Sequence, residues 1–348
     1  NEPTNDRRHK LKFGHFDDER KEYVIETPYT PLPWINYLGN EDFFGLISNT
    51  AGGYDFYKDA KMRRITRFRY NNVPEDNGGR MFYIEDGNDR WSPSFMPLKT
   101  PLDKYECRHG LGYSIFSGEK NSLSASLTCF VPLKERAEVM LLKLRNESEE
   151  KKEIRTVGAV EWCLWNAWDD FTNFQRNYST GEVEIEDKAI YHKTEYRERR
   201  DHYAFFSVNE KVTGYDSDRA TFLGRFNGWD SPASITSGKM GFSHASGWSP
   251  IAALENRFTL LPGEEKSLVF VLGYIENKEE EKWEKKGVIN KTKAHELQQR
   301  YGKAEDAERK LDELKAYWNT LLSSFSVSTG EEKFDRMVNI WNQYQCMV

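Results

Sequence analysis

The sequence has little cysteine, no long apolar run and no excess of positive charge. Its 348 residues contain four cysteines, Cys107, Cys129, Cys163 and Cys346, which lie far apart without a CxxC pair. This spacing predicts reduced core thiols and argues against a disulfide framework or a cysteine metal site. No apolar run approaches the roughly 20 residues that a membrane helix needs, and the start, NEPTNDRRHK, lacks the apolar core of a signal peptide. We therefore expect a soluble, cytoplasmic protein with no membrane partner.

The charge and the histidines limit the partners further. The formal net charge is -6 and the pI is about 5.8, which argues against a broad cationic surface for nucleic acid. Neither His109 nor His192 has a second ligand at metal spacing, so we expect both to make hydrogen bonds in the core or at an interface. The sequence thus predicts no nucleic-acid partner, no metal and no cofactor.

Alternation of apolar and polar residues predicts strands from residue 23 to about residue 276. Two runs show it well: Leu123, Ala125, Leu127, Cys129, Val131, and Ile154, Thr156, Gly158, Val160, Trp162, Leu164. Each run is expected to bury one face. Turn signals separate the strands at Asn77-Gly-Gly, Asp86-Gly-Asn, Ser117-Gly-Glu, Asn146-Glu-Ser and Pro262-Gly-Glu. The fold class predicted is mainly β, a large antiparallel β-sandwich.

After residue 276 the composition becomes highly charged and periodic at helical spacing. Leu311, Leu314, Trp318, Leu321, Leu322 and Phe325 form one apolar stripe. We therefore divide the chain into an extension outside the fold (1–10), the β-sandwich (11–276), a helical linker (277–327) and a further helix (328–348).

The last helix begins at a possible capping box, Thr329-Gly-Glu-Glu332. Its apolar face is predicted to comprise Phe334, Met337, Val338, Trp341 and Tyr344. No glycine or proline stop signal follows, and a lone helix with two aromatic residues on one face needs a neighbour. We expect the chain to be truncated before a further helical domain.

Residues 161–200 combine aromatic rings with amides, carboxylates and guanidinium groups. Flat rings cover the apolar faces of a pyranose while Asn, Gln, Asp and Arg bind its hydroxyls, so this composition suits a sugar site. An ordinary strand followed by a polar hairpin has the same composition, and both interpretations stay open on these residues alone.

Nearly the whole chain, from residue 11 to residue 348, resembles the N-terminal part of the cellobiose phosphorylases, a family of inverting disaccharide phosphorylases. The matching blocks are Lys12-Phe-Gly with Phe16-Asp-Asp, Thr27-Pro, Pro33-Trp-Ile-Asn-Tyr-Leu-Gly39, Ser48-Asn-Thr-Ala-Gly-Gly-Tyr54, Arg63-Arg-Ile-Thr-Arg67, Tyr70-Asn-Asn-Val-Pro74, Tyr105-Glu-Cys-Arg-His-Gly-Leu-Gly-Tyr113, Thr172-Asn-Phe-Gln-Arg-Asn177, Tyr191-His-Lys-Thr-Glu-Tyr-Arg-Glu-Arg-Arg200 and Met337-Val-Asn-Ile-Trp-Asn-Gln-Tyr-Gln-Cys346. The weight lies in the agreement over the chain rather than in any one block.

The resemblance implies reversible conversion of cellobiose and inorganic phosphate into α-glucose 1-phosphate and glucose. It also implies a β-sandwich, a helical linker and an α/α barrel, of which residues 328–348 would be the first helix, and a homodimer. The general acid and the phosphate-binding residues would lie beyond residue 348, so no catalytic residue is assigned and the chain alone is expected to be inactive. Cellodextrin and cellobionic acid phosphorylases are related families.

The resemblance assigns substrate binding to Asn173, Gln175 and Arg176, in a loop that reaches the acceptor-sugar subsite of the partner subunit in similar enzymes. An Arg fork and a Gln amide can bind neighbouring sugar hydroxyls, but they can also hold the hairpin or a dimer partner. Asp169 and Asp170 are poor candidates for an acid/base pair because adjacent side chains diverge.

Two other motifs have simpler interpretations. Thr50-Ala-Gly-Gly-Tyr54 lacks the lysine of a P-loop, so we expect a turn. Arg63, Ile65, Arg67 and Arg69 would share a strand face and contact acidic loops or another domain, or else face solvent. A non-catalytic carbohydrate-binding module and a dimerisation scaffold remain as alternative functions.

Overall fold

The computed structural model describes residues 12–69, 75–76, 78–87, 89–172, 181–195, 199–247 and 249–347. In chain order the strands are β1 (Gly14–Asp17), β2 (Glu22–Ile25), β3 (Ile35–Gly39), β4 (Phe43–Ser48), β5 (Gly53–Tyr57), β6 (Arg64–Thr66), β7 (Arg80–Asp86), β8 (Asp89–Trp91), β9 (Lys104–His109), β10 (Tyr113–Lys120), β11 (Leu123–Phe130), β12 (Ala137–Asn146), β13 (Lys152–Trp165), β14 (Gly181–Glu186), β15 (Ala189–Thr194), β16 (His202–Val208), β17 (Gly214–Asp218), β18 (Pro250–Leu260), β19 (Glu265–Glu276), β20 (Trp283–Lys285) and β21 (Val288–Ile289).

The helices within the sandwich are short, and the two longest helices follow it. They are α1 (Ala167–Thr172), α2 (Arg219–Leu223), α3 (Ala233–Thr236), α4 (Thr292–Arg300), α5 (Ala304–Leu322), α6 (Glu332–Arg336) and α7 (Asn342–Met347). A 3-10 turn covers Glu279–Glu281, and a π-helical turn, Met337–Trp341, joins α6 to α7.

Two large antiparallel sheets form the sandwich, which confirms the predicted mainly β fold. The first sheet has the order β1-β2-β9-β10-β11-β12-β19-β16-β15-β14, and the second has β17-β18-β13-β6-β5-β4-β3, with β7 and β8 branching from β13. A core that includes Ile47, Trp162, Leu142 and Phe270 fills the space between the sheets. Apolar side chains of both sheets therefore face each other across this core.

Helices cover two of the outer sheet faces. On the first sheet, Val139, Val269 and Phe205 are in one apolar cluster with Leu297 of α4 and Leu314 of α5. On the second sheet, Tyr83, Val157 and Ala253 are in another cluster with residues of α2 and α3. Each of these strands is thus buried from both sides.

This double coverage explains one wrong expectation. We expected β13 to bury one face, but every residue from Ile154 to Trp165 is buried. Trp162 faces the inner core, whereas Val157 packs under α2 and α3. Residues 219–236, far away in sequence, supply this second layer, so the local alternation could not indicate it.

Two of the predicted turns are confirmed, and a third is wrong. Gly87 connects β7 to β8 with φ 61°, and Gly263 connects β18 to β19 with φ 74°, as expected. Ser117-Gly-Glu is not a turn, because β10 continues through it to Lys120 and the reversal occurs at Asn121 and Ser122. A Cβ on Gly118 would lie 3.1 Å from the Trp91 ring, so this glycine serves close packing within a strand.

A buried ionic triad connects the two sheets. Arg80 donates hydrogen bonds to Glu138 at 2.6 and 2.8 Å and to Asp55 at 2.9 Å, and all three side chains are almost fully buried. Its third partner is the carbonyl of Leu46, 3.0 Å away. Burial raises the pKa of Asp55 well above its usual range, and the neighbouring Glu138 raises it further, although the charge of Arg80 acts in the opposite direction.

The 3-10 turn and the small β20–β21 hairpin follow residue 276, so α4 starts only at Thr292. In α5, Leu311, Leu314, Trp318 and Leu322 of the predicted stripe are buried. Phe325 lies beyond the helix end and is 57% exposed. The domain boundaries at residues 276 and 327 remain predictions.

The last helix packs on the sandwich, but the predicted capping box does not form. Glu331 is the N-cap and makes no side-chain capping bond, while the Thr329 hydroxyl donates to Asp335 at 2.6 Å. Tyr344 is fully buried, and its ring lies 4.9 Å from that of Trp318 in an edge-to-face contact. The expected apolar face is thus divided, since Phe334 and Met337 are exposed.

The cysteine prediction is correct for three residues. Cys107, Cys129 and Cys163 are free and buried, whereas Cys346 is free and exposed on α7. The expectation of a core position was therefore wrong for Cys346.

Candidate functional site

The candidate site is the edge of the sandwich where β13 ends and α1 begins. Asn166 caps the N-terminus of α1, because its side-chain oxygen accepts hydrogen bonds from the backbone N–H groups of Trp168 and Asp169 at 3.0 and 3.2 Å. This contact satisfies donors that a helix N-terminus otherwise leaves unpaired. The N–H of Ala167 donates to the carbonyl of Lys61 at 2.7 Å, which attaches α1 to the β5–β6 connection.

Two aromatic rings are exposed on α1. Trp168 is 58% and Phe171 45% exposed, and their ring centroids are 6.3 Å apart. The Lys61 ammonium lies 5.9 Å from the Trp168 centroid. Trp162 and Trp165, by contrast, are core residues, so for these two the interpretation as an ordinary strand was right. Rings that combine an exposed face with nearby polar groups suit a sugar surface.

An ionic cluster attaches α1 to the sandwich. Arg67 donates to Glu161 at 2.6 Å and to Asp170 at 3.0 Å, and Arg69 donates to the backbone carbonyl of Asp170 at 2.8 Å. Arg219 approaches the same Glu161 oxygen at 2.9 Å. We call these five residues the Arg67 cluster. It holds three guanidinium groups against two nearly buried carboxylates.

The acidic residues of the Arg67 cluster stabilise the charged form of Arg67. Burial by itself would lower the pKa of Arg67, but the carboxylates of Glu161 and Asp170 raise it above the usual value. Burial and the charge of Arg67 lower the pKa of Arg69. Arg67 is therefore held as a cation between its two acidic partners, which fixes the orientation of α1.

The structure places the sequence candidates as follows. Asn173, Gln175 and Arg176 lie outside the described residues, and their binding role stays a prediction. Asp170 is buried in the Arg67 cluster, whereas its neighbour Asp169 is partly exposed.

The two histidines have structural roles. His109 bonds to Ser114 at 2.8 Å and to the Trp34 carbonyl at 3.0 Å, and His192 bonds to the Glu182 carbonyl at 3.1 Å. Both fit the expected hydrogen bonding inside the fold.

Residues 48–53 form a tight turn, as predicted for the Gly-Gly pair. The N–H of Ser48 donates to the carbonyl of Gly52 at 2.9 Å, and Ala51 has φ 66°. The hydroxyls of Ser48 and Thr50 donate to the carboxylate of Asp76, so a protein anion already takes the place that a phosphate would need.

The basic run reaches acidic partners, as one of its interpretations proposed. Arg67 and Arg69 share Asp170, but the strand is shorter than expected because β6 covers only Arg64–Thr66. Glu161 and Arg219 were not singled out. Their pairing joins two segments distant in the chain, and no local pattern indicates it.

Two classes of feature are absent from the described part of the chain. Its His, Cys, Asp and Glu side chains include no group of three or more arranged to hold a metal ion. None of its helices combines the length and apolar character required to span a membrane.

Comparison with known proteins identifies the family. The profile of the glycosyl hydrolase 94 supersandwich domain matches residues 21–304, and that of the glycosyl hydrolase 94 superfamily catalytic domain matches residues 317–348. An N,N'-diacetylchitobiose phosphorylase of Vibrio proteolyticus is 31% identical over 346 residues, covering 96% of this chain and 40% of the relative. A solabiose phosphorylase of Paenibacillus borealis is 27% identical, covering 97% and 42%.

A solved structure described as a candidate kojibiose phosphorylase from human microbiome shares the fold, with a TM-score of 0.50 at 12% identity, covering 89% of this chain and 39% of that one. The chain spans about two fifths of the length of the curated relatives named above. Since the supersandwich profile covers most of the sequence, this chain belongs to the glycosyl hydrolase 94 family.

Proposed function

We propose that the chain is the N-terminal part of an inverting disaccharide phosphorylase whose substrates are cellobiose and inorganic phosphate. The observation that carries this proposal is the match of 96–97% of the chain to relatives that are phosphorylases of different disaccharides. The blocks that resemble those of cellobiose phosphorylases, such as the one from Thr172 to Asn177, favour cellobiose over the sugars of these relatives.

The proposed reaction needs one carboxylic acid and no carboxylate base. The acid protonates the glycosidic oxygen while phosphate, already an anion, attacks the anomeric carbon from the opposite face, so the product has inverted configuration. The acid and the phosphate site belong to the catalytic domain. The role that we propose for this chain is to bind the acceptor sugar and to organise a homodimer.

The acceptor role is assigned to Asn173, Gln175 and Arg176, which follow α1 in the sequence. Gln175 can donate to and accept from one sugar hydroxyl, and Arg176 can donate to two neighbouring ones, which suits an uncharged glucose. The Arg67 cluster fixes α1 directly before these residues, and Trp168 and Phe171 supply exposed rings nearby.

Two substrates distinguish the proposal from its strongest alternative. N,N'-diacetylchitobiose carries an acetamido group at C2 of each sugar, where cellobiose has a hydroxyl. Full-length protein should release α-glucose 1-phosphate from cellobiose and phosphate, with much lower kcat/KM for the diacetyl sugar. The opposite ranking would assign the protein to the chitobiose type, and absence of turnover on both would contradict the cellobiose assignment.

The acceptor role has its own test in the synthetic direction. We expect Arg176→Ala to raise the KM for glucose by about tenfold or more, because a charge-assisted hydrogen bond contributes about 1.5–3 kcal/mol. The KM for α-glucose 1-phosphate should stay nearly constant. Arg309→Ala, at a 55% exposed side chain on α5, is the matched control. Equal changes in both KM values would contradict a specific acceptor role.

Two further expectations concern the assembly. The 348-residue chain alone should release no sugar phosphate above a control without protein, and turnover by it would show that our assignment of catalysis to the remaining domain is wrong. Sedimentation of the full-length protein should give a dimer. A monomer at micromolar concentration would contradict the proposed acceptor site shared between subunits.

A further inference from the structure

The outer face of β3, β4 and β5 carries a row of large apolar side chains. Strand register places Tyr37, Leu46 and Tyr54 side by side, and Phe44 beside Phe56. Directly opposed residues of antiparallel strands point to the same side of the sheet. Together with Ile35, we call these residues the β3–β5 outer face.

Ring contacts make this face continuous. Phe44 and Phe56 stack at 5.3 Å, Phe56 lies 6.0 Å from Tyr54, and the Arg64 guanidinium covers the Tyr54 ring at 3.6 Å. Gly39 belongs to the same arrangement, because a Cβ there would lie 2.8 Å from the Phe44 ring. Glycine at this position leaves room for the Phe44 ring against the strand.

The described residues cover this face only in part. The alternate residues Leu38, Phe43 and Ile47 belong to the core between the sheets. In the ranges that the structure describes, none of the residues of the β3–β5 outer face belongs to any of the three buried apolar clusters. Ile35 is 47% and Tyr37 36% exposed, whereas Tyr54 is buried beneath Arg64. Phe44, Leu46 and Phe56 are partly buried. A contiguous apolar patch of this kind usually marks a contact surface.

The neighbouring helix indicates what covers it. Tyr344 of α7 donates a hydrogen bond to the backbone carbonyl of Tyr37, at the edge of this face. Helix α7 lies within the match to the catalytic domain, residues 317–348, and the chain spans only about two fifths of its relatives. One part of the catalytic domain therefore already contacts β3.

A second apolar surface lies on the same segment. Phe334 of α6 is 53% and Met337 of the π-helical turn 41% exposed. The π-helical turn interrupts the regular helix between these residues and Tyr344, and such turns are frequent at functional positions. The segment thus contacts the sandwich through Tyr344 and exposes apolar side chains for further packing.

We propose that the β3–β5 outer face is the docking surface for the remainder of the catalytic domain of the same chain. The contact of Tyr344 with β3 starts this interface, and the aromatic row continues it across the sheet. The inference rests on the family assignment and goes beyond the proposed activity. It concerns how the two domains are held together, so it holds for any substrate.

Thiol labelling of the full-length protein tests the docking surface. Ile35→Cys is introduced in a Cys346→Ser background, which removes the exposed thiol among the described cysteines. Leu261→Cys, at a 58% exposed turn position between β18 and β19, is the control for an accessible thiol. We expect the Ile35→Cys thiol to react at least about tenfold more slowly than the control, at every protein concentration, since its exposure would require the domains to separate.

The alternative outcomes are distinct. Labelling of Ile35→Cys as fast as that of Leu261→Cys would overturn the proposal. Slow labelling that becomes fast on dilution would also overturn it and would assign the face to a second copy of the chain. Tyr37→Cys repeats the test at a second position if Ile35→Cys fails to fold, as judged by circular dichroism. The readout needs no turnover, so its failure is separate from failure of the proposed function.

Discussion

The hydroxyl of Tyr344 donates a hydrogen bond to the backbone carbonyl of Tyr37, 2.8 Å away, and accepts one from the backbone N–H of Gly112 at 3.0 Å. Tyr37 is on β3 of the second sheet, and Gly112 precedes β10 of the first. One side chain thus joins α7 to both sheets.

Tyr344→Phe should lower the free energy of unfolding by about 1–3 kcal/mol, because it leaves a buried N–H of Gly112 and a part-buried carbonyl of Tyr37 without this partner. Denaturant unfolding followed by fluorescence measures the loss. Tyr317→Phe is the control, since Tyr317 is 44% exposed on the neighbouring α5. A loss for Tyr344→Phe no larger than that of the control would show that these hydrogen bonds do not stabilise the helix.

Arg80→Met should be far more destabilising than Arg90→Met. Arg80 is fully buried between Glu138 and Asp55, and its removal leaves the two buried carboxyl groups without their cation, at a cost of about 3–5 kcal/mol. Arg90 pairs with Glu85 at 36% exposure, and its loss should cost about 1 kcal/mol or less. Equal losses in chemical unfolding would contradict the importance of burial for this triad.

Local pattern was a good guide to the strands because alternation reports a face that packs on the core. In β11, Leu123, Ala125, Leu127 and Cys129 are all buried as expected. The same rule failed for β13, where a second layer from residues 219–236 covers the other face. The turn prediction failed at Gly118, because the sequence alone does not distinguish a glycine that packs against the Trp91 ring from a glycine in a turn.

The candidate site was less predictable because its contacts join distant segments. The expectation that Arg67 meets acidic residues was correct, but the sequence did not indicate that Glu161 also approaches Arg219. Asn166 could have been recognised as a helix cap, since Asn is favoured there. The aromatic residues of the stretch divide between core and surface, and composition cannot tell Trp165 from Trp168.

Asp170→Asn should destabilise the protein by about 3 kcal/mol, because it removes one of the two charges that balance the largely buried Arg67. Asp169→Asn is the adjacent control and should change the free energy of unfolding by about 0.5 kcal/mol, since Asp169 is partly exposed. Thermal and chemical unfolding of both variants measure the difference. The assigned role of Asp170 would be wrong if the two variants were equally stable.

His109 should make stability fall at acid pH. Burial lowers the pKa of His109 to about 4, so the folded protein holds the neutral ring between Ser114 and the Trp34 carbonyl. In the unfolded chain the pKa is near its ordinary value of about 6.5, so the unfolded state binds the proton first. The contribution of the neutral ring is complete above pH about 6.5 and is lost as the pH falls towards 4, by about 3 kcal/mol in total.

His109→Gln isolates this effect, because glutamine can replace some of the hydrogen bonds but cannot titrate. Unfolding free energies of both proteins should be measured from pH 8 down to pH 4. The wild type should lose stability relative to the variant below pH about 6.5, with a slope approaching 1.4 kcal/mol per pH unit. A difference between the two proteins that stays constant over this range would mean that His109 is protonated equally in the folded and unfolded states.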